Sequence, residues 1–221
     1  MKTIEHLGVL DLSIYQDDEG YCFTSDSILL SKFASSKRGD VVADFCAGSG
    51  VVGFYHYGLN SQNIDTLTLF EIQQSLYDLS VQSIERNGLE KKVNAVFTDV
   101  TKVDAKYHNA FSLILCNPPY MEFNRGDGNQ NKEKDICRRE VSLTLATLMS
   151  SISKCLKFGG RVCMVHRADR LVDVICAMRE CKIEPKRLQM VSNGQKSPYL
   201  FLIEGVKGGG KGLTVLPDAK N

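Results

Sequence analysis

The run Val41-Val42-Ala43-Asp44-Phe45 passes straight into Cys46-Ala47-Gly48-Ser49-Gly50. A short apolar run that ends in glycines fits a buried strand, a tight turn, and then a helix over Val51 to Gly58. The glycines allow backbone N–H groups to come close to a ligand. Gly48, Gly50 and Gly53 keep the G-x-G-x-x-G spacing of a dinucleotide fold, and Glu71, after a second strand Leu67 to Phe70, lies close to the expected distance of about 20 residues. A carboxylate there can grip two ribose hydroxyls. Read alone, this pattern also fits a nicotinamide enzyme. The helix carries Tyr55, His56 and Tyr57 rather than a smooth apolar face, which favours neither reading.

Two further apolar runs end in ligand-type residues. Val93 to Thr98 is followed by Asp99, an acceptor suited to the amine of an adenine moiety. Phe111 to Cys116 is followed by Asn117-Pro118-Pro119-Tyr120. Proline lacks an N–H and fixes φ, so two in succession end the strand and stiffen the turn. The Asn117 side-chain oxygen and the Pro118 carbonyl can then accept both N–H bonds of one planar amine, with the Tyr120 ring beside it for stacking. An aromatic amine is a poor nucleophile because its lone pair is delocalised. Two acceptors on its N–H bonds favour pyramidal nitrogen and free that pair for attack on a methyl group. Each residue singly fits a solvated loop or an ordinary turn. In an open α/β sheet, however, ligands bind outside the carboxyl ends of the strands, so Gly48, Glu71, Asp99 and Asn117 line one crevice.

Strand and helix patterns continue to alternate beyond the proline turn. Arg138 to Leu156 reads as a helix, Gly159-Gly160 as a break, Arg161 to Val165 as a strand and Leu171 to Cys181 as a helix. Arg187 to Val191 and Tyr199 to Gly205, joined by Ser192 to Pro198, read as a hairpin. The expected fold is α/β: a Rossmann-like, seven-stranded, mostly parallel sheet with an antiparallel C-terminal hairpin and helices on both faces. The 221 residues, 43% hydrophobic, read as a single domain, with residues 1–39 as an N-terminal extension covering the cofactor site and 206–221 as a Gly/Lys-rich tail. Met121 to Asp135, rich in Asn, Gly and charge, reads as a loop ordered by substrate.

Composition narrows the setting. The chain lacks a run of about 20 apolar residues and a signal-peptide core, so it is expected in the cytoplasm and off the membrane. Eight cysteines, several within apolar patterns, read as free buried thiols of a reducing compartment. Four scattered histidines and the absence of zinc-ligand spacing point to no metal. A net charge of +1 gives no overall basic signature, so any nucleic acid must be held by local points of charge. The candidates are Arg138, Arg139, Arg167, Arg170, Lys207 and Lys211, each of which also fits a solvated face.

Asp44 to Gly50, Glu71, Asp99 and Asn117 to Tyr120 together resemble the amino-methylating class I S-adenosylmethionine-dependent methyltransferases. Phe23 to Leu30, His166 to Arg170, Glu184 to Arg187 and the tail Glu204 to Gly212 narrow the resemblance to the bacterial tRNA1(Val) (adenine(37)-N6)-methyltransferase family. That resemblance implies N6 methylation of the adenine beside a tRNA anticodon, with S-adenosylmethionine as cofactor and S-adenosylhomocysteine as product. It implies Thr24, Asp26, Asp44, Gly48, Gly50, Glu71 and Asp99 as cofactor residues, with Asp26 or Asp44 near the methionine ammonium. Asn117, Pro118, Pro119 and Tyr120 would form the catalytic wall. It also favours the glycine-rich tail as a lysine-bearing loop near the substrate. Cys46 stands where this family often has glycine. Alternatives are the release-factor glutamine methyltransferases, which use the same turn, rRNA or DNA amino-methyltransferases, and a cofactor-binding module without catalysis. Monomer and homodimer both stay open.

Overall fold

The apolar strands build a sheet buried on both faces because successive side chains point to opposite sides and both sides are apolar. A computed structural model describes residues 2–17, 25–120, 144–194 and 197–220. A hairpin of β1 (Lys2–His6) and β2 (Ser13–Asp17) leads to α1 (Ser25–Phe33). The central sheet contains β3 (Asp40–Phe45), β4 (Ile64–Glu71), β5 (Val93–Phe97), β6 (Phe111–Cys116), β7 (Leu156–Arg167), β8 (Ile183–Ser192), β9 (Leu200–Lys207), β10 (Thr214–Val215) and β11 (Ala219–Lys220). Between these lie α2 (Val51–Asn60), α3 (Gln74–Arg86), α4 (Leu145–Cys155) and α5 (Leu171–Glu180).

The order across the sheet is β10-β8-β9-β7-β6-β3-β4-β5, with β9 antiparallel to both neighbours and β11 also on β8. Seven strands form the expected mostly parallel sheet. The other two come from the tail, which pairs in parallel with β8 through Thr214 to Arg187 and Ala219 to Val191. An exposed outer strand leaves N–H and C=O groups unpaired, and the tail meets part of that need on β8. The tail is therefore sheet edging over these residues rather than free linker.

Leu113 and Leu115 face α1, α2 and α3, while Ile114 and Cys116 face α4 and α5. β2 is tied to α3: Ser13 N–H donates to Asn87 Oδ1 at 3.1 Å and Tyr15 N–H to Ser83 Oγ at 2.9 Å. The N-terminal hairpin thus lies on the helical layer. α4 begins at Leu145 behind the N-cap Thr144, whose side chain accepts from Thr147 N–H. The expected helix start at Arg138, Arg139 itself and the loop 121–135 lie outside the described residues, as does Thr24.

Candidate active site

All of β3, β4, β5 and β6 are parallel, so the four chosen strand ends meet at one edge. The turn after β3 is tight: Gly50 N–H donates to Ala47 C=O at 2.8 Å, and Ala47 N–H donates to Phe70 C=O at 3.0 Å. Cys46, Gly48 and Gly50 take left-handed φ of 61°, 59° and 89°. The two glycines differ in purpose. A Cβ on Gly50 would fall 2.8 Å from the Phe54 ring, so packing demands its absence. A Cβ on Gly48 would meet nothing within 4 Å, so the turn is open on its ligand side. Gly53 completes the pattern by bringing α2 against β4, where a Cβ would lie 2.5 Å from Leu69.

Glu71 closes the turn from the next strand. Its Oε2 accepts from Gly48 N–H at 2.7 Å, and its Oε1 accepts from Ile72 and Gln73 N–H at 3.0 and 2.8 Å. Burial pushes its carboxyl above the usual range, against these backbone donors, which favour the charged form. The Gln73 side chain also hydrogen-bonds the carboxyl, and together these bonds fix it against the turn. Asp99 Oδ1 caps the short turn Val100–Lys102 by accepting from Thr101 N–H at 2.8 Å and Thr101 Oγ1–H at 2.7 Å. Its Oδ2 lies 3.9 Å from the exposed Lys102 ammonium, and this looser oxygen is the one suited to an amine.

Asp44 is fully buried at the end of β3. Its Oδ2 accepts from Gly53 N–H at 2.8 Å, while Oδ1 has no hydrogen-bond partner among the described residues. Desolvation, assisted by the nearby Glu71 charge, raises its pKa to about 8 against the opposing Gly53 bond. A buried acceptor without a donor is costly unless a ligand satisfies it. Together with the open face of Gly48, that oxygen fits a cofactor bearing a cationic end. Asp26 sits in the first turn of α1, one residue before Ser27.

The proline turn is held from two sides. Asn117 Nδ2 donates to Ser27 Oγ at 3.2 Å, which makes Oδ1 the end of the amide suited to a ligand N–H. Pro118 is buried and Pro119 exposed, while Asn117 and Tyr120 are half-buried. The Tyr120 ring packs on the α1–α3 side of the core and lies 5.4 Å from the His166 ring, at 52°. Ser27 and His166 were not singled out by the sequence reading. Both lie in segments that carry the family resemblance, but polarity pattern gives no sign that they touch the turn.

A model of the methyltransferase small domain matches residues 23–171. The chain belongs to this family. With it comes S-adenosylmethionine as cofactor. Among similar proteins is a tRNA1(Val) (adenine(37)-N6)-methyltransferase of Shewanella sp. (strain MR-4), 24% identical over 148 residues, which are 66% of this chain and 61% of that one. The chain thus spans about three fifths of that relative's length. A release factor glutamine methyltransferase of Mycoplasma mycoides is 31% identical over 122 residues, 52% of this chain and 39% of that one. The fold matches a predicted O-methyltransferase of Agrobacterium tumefaciens with TM-score 0.69 at 17% identity, covering 87% of this chain and 86% of that one.

The basic candidates divide. Arg167, the last residue of β7, and Arg170, just beyond it, stand at the site edge, where they pair with Asp169 and Asp173 at 2.5 and 2.7 Å. Lys207 does not. It pairs in register with Ile183, the first residue of β8, and its Nζ donates to Asn109 Oδ1 at 3.0 Å and Leu156 C=O at 2.8 Å. Because β9 runs antiparallel, its end falls at the opposite edge of the sheet from Asn117. Lys211 follows in the same return loop, where Lys186 Nζ donates to Gly210 C=O at 2.8 Å. Lys207 therefore lies at the opposite edge of the sheet from the proline turn, and the tail leaves the sheet there. Among the described residues no helix is long and apolar enough to cross a membrane.

Proposed function

We propose that this chain transfers the methyl group of S-adenosylmethionine to the exocyclic N6 of an adenine in tRNA, adenine 37 beside the anticodon of tRNA1(Val), in the cytoplasm. The observation that carries this reading is the Asn117 amide just past the end of β6, anchored through Nδ2 to Ser27 and three residues before Tyr120. When bound, the cofactor supplies an electrophilic methyl group on a sulfonium. The chain's residues do the remaining work. The Gly48 to Gly50 turn and Glu71 would seat the cofactor on its ribose side, Asp99 would take its adenine amine, and Asp44 or Asp26 would face its ammonium.

The target adenine must leave its stack to reach this edge, as bases do in enzymes that act on them. Tyr120 receives its face. Asn117 Oδ1 and the Pro118 carbonyl accept from its two N6 hydrogens and orient the nitrogen pair toward the methyl. With the cofactor held there, the N–C bond would form as the S–C bond broke, its electron pair remaining on sulfur. The nitrogen then carries positive charge and loses a proton readily, so no base is needed before attack. Placement and desolvation supply most of the acceleration. Arg167 and Arg170 are placed to exchange their aspartate partners for phosphates, and Arg138 and Arg139 are assigned to the same task.

A protein substrate is the second reading, favoured by the release-factor relative: a glutamine amide is also a planar NH2 that the same two acceptors fit. Labelled methyl transfer to total tRNA, DNA and release factor in parallel, followed by nucleoside and peptide analysis, separates the two. N6-methyladenosine in tRNA is the expected product. Label confined to protein glutamine replaces the proposal.

A further inference from the structure

His166 ends β7 at the site edge, and its ring stands between two others. In the antiparallel register it faces Phe201 on β9, and those rings stack at 6.3 Å and 22°. Phe201 is fully buried in the core. On the other side lies Tyr120, at 5.4 Å. A rigid core ring, a half-buried imidazole and the tyrosine of the proline turn therefore form a continuous row. The imidazole is also fixed within that row, because its Nδ1 accepts from Arg167 N–H at 2.9 Å. With Nδ1 acting as acceptor, the proton of the neutral ring resides on Nε2. Burial, followed by the Arg170 charge, lowers its pKa to about 4; Asp169 and Asp173 oppose that shift and Arg167 adds to it. Phe201 brings no charge against it.

We propose that His166 is a positioning residue for Tyr120: its neutral ring transmits the fixed orientation of Phe201 to Tyr120 and so presets the face on which the target stacks. This rests on the reading of Asn117 to Tyr120 as the target wall. It goes beyond that reading by assigning the tyrosine's orientation to a residue on a different strand. Tyr120 itself follows two prolines and lies beyond the last residue of β6. The ring contact is the function, so phenylalanine can replace histidine, whereas alanine leaves Tyr120 unsupported on that side.

The test uses the full chain with ring-labelled tyrosine, its Tyr120 resonance assigned through Tyr120→Phe. In His166→Ala that resonance is expected to shift and broaden. kcat/KM for tRNA should fall about 10-fold, in the range of a lost base–aromatic contact, with S-adenosylmethionine affinity held within about 2-fold of wild type on the same scale. His166→Phe is expected to restore both resonance and rate to within about 3-fold of wild type by the same contact. The wild-type resonance should also stay flat from about pH 5.5 to 8, because the imidazole is already neutral there. An unaltered Tyr120 resonance in His166→Ala, or no rescue by phenylalanine, overturns the proposal, and so does a wild-type titration step near the ordinary histidine range. If His166→Ala does not fold, the phenylalanine variant and the pH series still decide. The resonance needs no substrate, so a chain that methylates glutamine instead of tRNA would remove the function reading and leave this one standing.

Discussion

The two edges of the central sheet are both rich in polar side chains, yet they use them in opposite ways. At the edge where β3 to β6 begin, Arg161 is buried and closed: Nη2 donates to Asp40 Oδ2 at 2.6 Å and Nη1 to Ser35 C=O at 2.7 Å. Asp40 also accepts from Lys37 N–H and from Ser112 Oγ–H at 2.7 and 2.8 Å, so both its oxygens are engaged inside the protein. At the other edge, Asp44 keeps one buried oxygen without a partner among the described residues, Asn117 is anchored by its donor end only, and Gly48 opens on free space. The comparison separates polar burial that locks a fold from polar burial that waits for a ligand. The discriminating feature is unused hydrogen-bond capacity, not the number of charges.

The largest expected effect lies on the closed edge. Arg161→Ala leaves Asp40 buried without its cation, which typically costs about 3–5 kcal/mol. Urea unfolding should show that loss, and in the fraction that stays folded cofactor affinity should be close to wild type. A stability change under about 1 kcal/mol would mean that this edge is not locked as described. Next comes Asn117→Ala on the open edge. Losing one preorganised group at the reacting centre costs on the order of 10²–10³ in kcat. Stability and S-adenosylmethionine affinity should hardly move. Full turnover in this variant would remove Asn117 from the chemistry.

Asp44 sharpens the contrast through pH. Its folded pKa, raised to about 8, lies above its ordinary value of 3.8. A raised folded pKa means that the folded state holds a proton the unfolded state has lost. Its contribution is therefore fully present below about pH 4 and is lost as pH rises through about 8. Relative to Asp44→Asn, which does not titrate, wild type should lose stability across that window. On the proposed reading the cofactor's cationic end faces Asp44 and favours its ionised form, so the wild-type affinity should rise toward pH 8 relative to the asparagine variant. Calorimetry of both proteins at several pH values checks this; parallel pH curves would place the ammonium elsewhere, with Asp26 the next candidate.

How much of this was legible in the chain follows the same division. Short-range features read well: the β6 limits Phe111 and Cys116 and the α5 start at Leu171 came directly from apolar pattern and turn chemistry. The ligand-type strand ends at Gly48, Glu71, Asp99 and Asn117 also came through, since parallel order forces them to one edge. Two kinds of information did not. Contacts such as Ser27 with Asn117, 90 residues apart, depend on how α1 crosses the sheet, and no local period records that. The direction of β9 was the other. Reading Tyr199 to Gly205 as a hairpin strand already implied that its end, observed at Lys207, returns to the closed edge, but the family resemblance favoured a lysine-bearing loop near the substrate. Strand direction decides the matter there.

The smallest effects test that reversal. Arg170 is placed at the open edge with an exposed partner, Asp173, so exchanging it for a phosphate costs little desolvation. Arg170→Ala should weaken tRNA binding modestly and reduce the slope of log affinity against log salt by about 1, the signature of one lost phosphate contact. Lys207 is nearer to a structural group: its ammonium holds Asn109 and the Leu156 carbonyl where β7 begins. Lys207→Ala should leave the salt slope unchanged and show its small cost in unfolding instead. If Lys207→Ala flattened the salt slope as much as Arg170→Ala, tRNA would have to reach around the whole sheet to touch both edges. The closed edge would then be part of the substrate surface, and unused hydrogen-bond capacity would no longer distinguish the functional side of this fold.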